Sequence, residues 1–173
     1  PDALLTVWGT GPSDIWAGAG PGRAVHYDGV AWTGVALPTQ ERINVFWGDG
    51  SGGLWVGCTG GEMLFHSGTL WTRVATPATD TIAVIWGYAP HDLRALGGTS
   101  GMRYDGTAWT DFEGPTGLSP SAIWGAAADD VWVAGYGRCL THFDGSSWTE
   151  PAQAFPNCAL NSLSGSSASD IWA

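Results

Sequence analysis

Short apolar runs alternate with clusters of Gly, Pro, Ser and Asp along the whole chain. The opening stretch sets the pattern, with runs at 3–8, 14–19, 23–28 and 31–36 separated by turn residues. Each run has the length of an ordinary strand. The intervening residues supply the positive or preset φ that tight turns need. No stretch shows apolar positions at a period of 3.6, so the pattern predicts strands and no helices. The first run of each unit is apolar at successive positions, as in Leu4, Leu5, Val7 and Trp8, or in the run 82–86. A strand apolar on both faces is expected between two covering layers.

The tryptophans reveal a repeat. All 12 fall into three columns: Trp8, Trp47, Trp86 and Trp124; Trp16, Trp55, Trp132 and Trp172; Trp32, Trp71, Trp109 and Trp148. The first and third columns recur every 38 or 39 residues, and Arg94 fills the empty slot of the second. Gly follows the first-column Trp at Gly9, Gly48, Gly87 and Gly125. Asp stands two before the second column at Asp14, Asp92, Asp130 and Asp170, with Gly53 the exception. An aromatic-Asp-Gly turn precedes the third column at Tyr27-Asp28-Gly29, Tyr104-Asp105-Gly106 and Phe143-Asp144-Gly145, with His66-Ser67-Gly68 a worn copy. Asp-Gly between two apolar runs is a strong hairpin signal. A repeated unit of four antiparallel strands is a β-propeller blade. The expected fold is therefore all-β, with blades over about 3–38, 39–77, 78–115 and 116–153 and a half blade over 154–173. The Trp columns are expected in the seams between blades, where each ring buries a large area.

Composition narrows the function. Six Lys+Arg against 16 Asp+Glu give a net charge of −10, with no Lys at all. That excludes a generic nucleic-acid binder, which needs clustered cations to displace counterions. It also argues against docking on an anionic membrane. No apolar run is long enough to span a bilayer, and no leader-like segment opens the chain, so any signal peptide is expected upstream or removed.

The blade motif reads Trp-Gly, four residues, Asp-apolar-Trp, a Gly-rich turn, then aromatic-Asp-Gly-x-x-Trp-Thr. It resembles the repeats of myxobacterial secreted and surface β-propeller proteins. It is also similar to tectonin-type propellers and to bacterial propeller lectins. The resemblance spans essentially the whole chain. It implies an extracellular, cell-surface or periplasmic setting, and the lectin members imply sugar binding between blades. The sialidase-type Asp-box is not matched, because Asp28 and Trp32 stand one residue too close.

Four blades and half of a fifth leave an open edge. Two readings stand: a piece of a longer propeller of six to eight blades, which is favoured, or a chain that self-associates through its incomplete blade. The aspartates before the second column are expected to cap turns, as are Asp28, Asp105 and Asp144. No His spacing suits zinc, no acidic loop suits calcium, and no Gly-rich stretch precedes a helix as a phosphate cradle would. No metal, cofactor or catalytic residue is therefore assigned. Cys139 and Cys158 fall at one end of adjacent blades, which permits a disulfide in an exported protein. Cys58 would then be free or in the core.

Variable polar loops on a repeated frame are where binding is expected. Loops between second and third strands carry Arg23, Glu62 and Arg138. Links between blades carry Gln40, Glu41, Arg42, Asp80, Phe155 and Asn157. Arg94, standing where a Trp is due, either pairs with an acid or opens a pocket. Tyr88, Tyr136 and Phe155 are aromatics able to meet a ligand. The expected function is non-catalytic recognition of a carbohydrate or a protein. A glycosidase-like fragment using Glu41, Glu62, Glu113 or Glu150 and a purely structural assembly domain are the alternatives.

Overall fold

Strand follows strand from Thr6 to Trp172 in the computed structural model, which describes residues 3–48, 50, 52–98, 100–151 and 159–173. The first sheet holds β1 (Thr6–Gly11), β2 (Asp14–Gly18), β3 (Arg23–Tyr27) and β4 (Trp32–Ala36). The second holds β5 (Ile43–Gly48), β6 (Leu54–Cys58), β7 (Met63–His66) and β8 (Trp71–Val74). The third holds β9 (Val84–Ala89), β10 (Asp92–Gly97), β11 (Ser100–Tyr104) and β12 (Trp109–Phe112). The fourth holds β13 (Leu118–Ala127), β14 (Asp130–Gly137), β15 (Leu140–Phe143) and β16 (Trp148–Thr149). A two-stranded piece, β17 (Ser164–Ser167) and β18 (Asp170–Trp172), follows. Strand order in every sheet is the chain order, and every pair is antiparallel. Among the described residues the only helical piece is one 3₁₀ turn at Thr59–Gly61. Among the described residues no helix is long and apolar enough to cross a membrane.

The chain forms two compact units, Pro1–Ala83 and Val84–Ala173. In the first, β5 packs on β1 and β2. Its core gathers Trp16, Ala24, Leu37, Ile43, Phe46, Leu54, Val56, Cys58 and Leu64. In the second, β13 packs on β9 and β10, and β17 packs on β13.

The Trp-Gly dipeptide has a packing cause. A Cβ on Gly48 would sit 2.0 Å from the Trp8 ring, because the first-column indole of one blade lies against the glycine of the next. Trp86 covers Gly125 and Trp124 covers Gly165 in the same way, at 2.6 and 2.7 Å from the missing Cβ. Only glycine allows such an approach. The register breaks just beyond the column in four of the five sheets, between Gly9 and Gly11, Gly87 and Ala89, Gly125 and Ala127, and Gly165 and Ser167. Such bulges bend the strand as it enters the turn.

The turns before the third column hold as expected. Asp28 Oδ1 accepts the amides of Val30 and Ala31, both at 2.9 Å. Asp105 and Asp144 do the same for Thr107, Ala108, Ser146 and Ser147. Gly29, Gly106 and Gly145 follow at φ of 93°, 96° and 92°. The aromatic before each turn packs on the third-column Trp: Tyr27 on Trp32, His66 on Trp71, Tyr104 on Trp109 and Phe143 on Trp148.

Two expectations need correction. The indoles are not all in seams: Trp32 is 51 % exposed and Trp172 is 71 % exposed. The first strand is not covered on both faces in the first blade, where Leu5 and Val7 are exposed. In both cases no neighbouring sheet lies over the residue in its own unit.

Candidate functional site

The second-column aspartates do something other than the turn-capping expected of them. Asp14 Oδ1 accepts the Trp16 indole N–H at 3.1 Å and lies 2.8 Å from His26 Nε2, while Oδ2 accepts from Thr10 Oγ1 at 2.7 Å. The Trp16 and His26 rings stack at 4.2 Å. Asp130, Trp132 and His142 repeat the arrangement at 3.1, 2.6 and 4.3 Å. Trp172 likewise donates to Asp170 at 2.9 Å. Burial would raise the Asp14 pKa, but the Thr10 and His26 bonds and the Trp16 N–H outweigh it and hold the carboxyl below its usual value.

The strand register explains the trio. Trp16 faces His26 across β2 and β3, and Trp132 faces His142 across β14 and β15. In the second blade Trp55 faces Phe65, their rings 4.6 Å apart, and the acid is replaced by Gly53. In the third blade Arg94 faces Arg103, and Asp92 is kept. The partners therefore change together: where the imidazole goes, so does either the acid or the indole.

The third blade is the chemical outlier. Arg94 is 4 % exposed. Its guanidinium carbon lies 5.3 Å from the ring centroids of both Phe112 and Phe143. Asp92 Oδ1 accepts from Arg103 Nε at 3.0 Å and stands 3.7 Å from Arg94 Nη1. Arg94 Nε and Nη1 are buried and have no hydrogen-bond acceptor among the described residues. Burial pulls the Arg94 pKa below its usual value; the charges of Asp92 and Asp129 oppose this and Arg103 adds to it. An arginine nonetheless stays charged. A cleft of about 550 Å³ opens over these groups, lined by Tyr88, Arg94, Arg103, Phe112, Asp129 and Phe143, with Ala127, Ala128 and Gly145. A second groove of about 540 Å³ shares Phe112 and Phe143 and runs past Asp111, Glu113 and Trp148. Trp148 is fixed there by donating to the Glu113 carbonyl at 2.8 Å.

The other sequence-predicted residues lie elsewhere. Gln40 is exposed in the link after β4, beside Glu41 and Arg42. Glu41 accepts from the Thr59 hydroxyl, and Arg42 Nε donates to Asn44 at 3.2 Å. Glu62 accepts from the buried Thr39 hydroxyl at 2.6 Å and pairs with Arg73 at 2.9 Å. These bonds fasten the link between the first two blades. Asp80 accepts the Thr81 amide at 2.6 Å. Arg23 begins β3 and is exposed. Tyr136 is 54 % exposed and donates to Asn161 at 2.9 Å. Arg138 pairs with Glu150 at 2.7 Å. Phe155, Asn157 and Cys158 fall outside the described residues, so the expected Cys139–Cys158 pairing does too. Cys58 is free and wholly buried. No group of three or more His, Cys, Asp or Glu among the described residues is placed to hold a metal.

Arg94 thus lies apart from the loop residues Arg23, Glu62 and Arg138. The cleft reaches the turns at 127–129 and at Gly145, whereas Arg138 lies beyond the far end of β14. Sequence reasoning missed Arg103, Phe112, Asp129 and Phe143. The signal was there for one of them, because Arg103 holds the slot of His26 and His142.

No family model matches the chain, and no curated protein matches it. Solved structures do. A structure of YCF48 bound to D1 peptide aligns with a TM-score of 0.73 at 12 % identity, covering 99 % of this chain and 61 % of that one. The extracellular domain of BT4673 from B. thetaiotaomicron aligns at 0.76 and 13 % identity, covering 99 % and 26 %. The WD40 β-propeller domain of Doa1 aligns at 0.72 and 10 % identity, covering 92 % and 56 %. The chain spans less than two thirds of each. The fold is thereby a β-propeller, here in four full blades and a two-stranded part of a fifth.

Proposed function

We propose that the chain is a non-catalytic recognition module that binds a protein ligand, taking a peptide segment into the cleft between the third and fourth blades. The observation that carries this reading is Arg94, a buried cation caged by two phenyl rings at the floor of a cleft of about 550 Å³. Aromatic walls with a few convergent polar groups are the usual make-up of a binding site. A propeller of the same fold is described as bound to a peptide, and another is an extracellular domain. Both support the reading, and the second, with the repeat's resemblance to secreted propellers, supports an extracellular setting. Of the glutamates a hydrolase would use, Glu41, Glu62 and Glu150 are each tied to a neighbour, which favours recognition over hydrolysis, while Glu113 lines the neighbouring groove with Asp111.

The test is a selection of displayed peptides against the chain, run beside a glycan array. Peptide binders that compete with one another and weaken when Phe112 is changed to Ala support the reading. Binding on the glycan array alone moves the ligand class to carbohydrate, and silence in both favours a structural role.

A further inference from the structure

We propose that the Arg94–Arg103 pair is a carboxylate-binding site, receiving an acidic side chain or the free C-terminus of a peptide. This rests on the recognition reading above and names the group recognised.

Comparison among the blades carries the argument. In the first and fourth blades one aspartate is matched by two rings, an indole and an imidazole, and both meet the same carboxylate oxygen. The third blade keeps the aspartate and replaces both rings with guanidiniums. Two of the chain's six cations therefore stand opposite each other in one slot, in a protein of net charge −10. A structural ion pair needs only one of them. Asp92 Oδ1 serves both, close to Arg103 at 3.0 Å and distant from Arg94 at 3.7 Å. Arg94 is left with two buried nitrogens that no described residue accepts from. Leaving a buried charge incompletely partnered is costly, and an added anion removes that cost.

Placement fits a ligand that arrives from solvent. Arg94 is 4 % exposed at the floor, whereas the Arg103 side chain is 49 % exposed at the rim. Phe112 and Phe143 hold the Arg94 guanidinium, so its position is fixed before anything binds. Tyr88, 62 % exposed, offers a face for the stem that carries the acid. Asp129 lines the same cleft and, among the described residues, forms no ion pair with either arginine. With Asp92 it offsets the two guanidiniums, so a second negative charge on the ligand gains nothing, and a planar monoanionic carboxylate matches the guanidinium fork.

The experiment follows the arginine Nε–H resonances of the intact chain by NMR during four titrations. The probes are N-acetylglutamate α-amide (side-chain acid only), N-acetylalanine (terminal acid only), N-acetylglutamine amide (neutral) and inorganic phosphate. Saturating shifts of Arg94 and Arg103 with at least one carboxylate are expected, with a dissociation constant of about 1–10 mM for so small a probe. Which of the first two binds more tightly identifies the source of the acid. Arg94→Trp with Arg103→His copies the residues of the fourth blade, and this double variant should weaken carboxylate binding by about tenfold or more. Should that variant not fold, Arg103→Gln at the exposed rim reads the same loss. Absence of saturation, or equal shifts from the neutral amide or from phosphate, overturns the proposal. Peptide binders selected as above that ignore both variants also overturn it while leaving the recognition reading intact. Saturable carboxylate binding with no peptide or protein partner does the reverse.

Discussion

Trp132 and His142 lie face to face across β14 and β15, ring centroids 4.3 Å apart and planes 22° from parallel, and both meet the same oxygen of Asp130. The same geometry joins Trp16 and His26 through Asp14. The aspartate therefore locks two stacked rings that would otherwise slide. Asp130→Ala removes two hydrogen bonds to a charged acceptor and strands both rings. We expect a loss of about 1–3 kcal/mol in urea unfolding. Asp130→Gly with His142→Phe copies the second blade, where Gly53 accompanies Phe65. That double change should cost less than the sum of the single ones, and strict additivity in a double-mutant cycle would show that the trio is not a unit.

Acid should weaken the fold in two stages. Burial and the nearby His26 hold the His66 pKa below its usual 6.5. The folded state then binds fewer protons than the unfolded chain, so this contribution is complete above pH 6.5 and is lost as pH falls through the lower folded value. The hydrogen bonds of the turns hold Asp105 and Asp144 at about 2, below the usual 3.8. Their contribution is present above 3.8 and is lost as pH falls toward about 2. Melting temperature against pH should show both stages. His66→Tyr, which restores the aromatic of the Tyr27 and Tyr104 slot, should abolish the first stage and leave the second.

These effects show what the sequence discloses and where it stops. The period of the tryptophans and the Asp-Gly turns is local and repeated, so fold, strand order and hairpins could be read from it. The pairing of Trp16 with His26 could not, because it depends on strand register across a hairpin. Asp14 was legible as important and mistaken in its role, since a turn aspartate and one that holds an indole look alike in sequence. Arg94 was marked as anomalous, but Phe112 and Phe143 come to it from two different blades, which no spacing reveals. Glu41 and Glu62 looked like variable loop residues, yet they fasten a link, because their partners Thr59, Thr39 and Arg73 are brought in by folding.

The glycine after the first-column Trp offers a direct test of blade stacking. A methyl at residue 48 would fall within 2.1 Å of two carbons of the Trp8 ring. Gly48→Ala must push the indole away or part the strands, with an expected loss of about 1–3 kcal/mol by calorimetry. Trp8→Leu costs stability by itself through lost burial. Combined with Gly48→Ala it should show a favourable coupling, because the methyl then has space. A neutral Gly48→Ala would mean that the indole does not rest on that glycine in solution.

Cys58 should report on global unfolding. It is wholly buried at the end of β6, and burial, aided by the charges of Glu62 and Glu41, pushes its pKa up to about 12. A thiol so held is neither accessible nor ionised, so a disulfide-forming reagent at about pH 8 should react only through opened molecules. Labelling of Cys58 should accelerate with urea in step with the change in tryptophan fluorescence. The raised pKa also fixes a sign: the folded chain keeps a proton that the unfolded chain releases, so stability is complete below 9.0 and declines as pH rises toward about 12. Rapid labelling in the absence of denaturant, with the fold intact by circular dichroism, would contradict the placement of this side chain among the core residues of the first two blades.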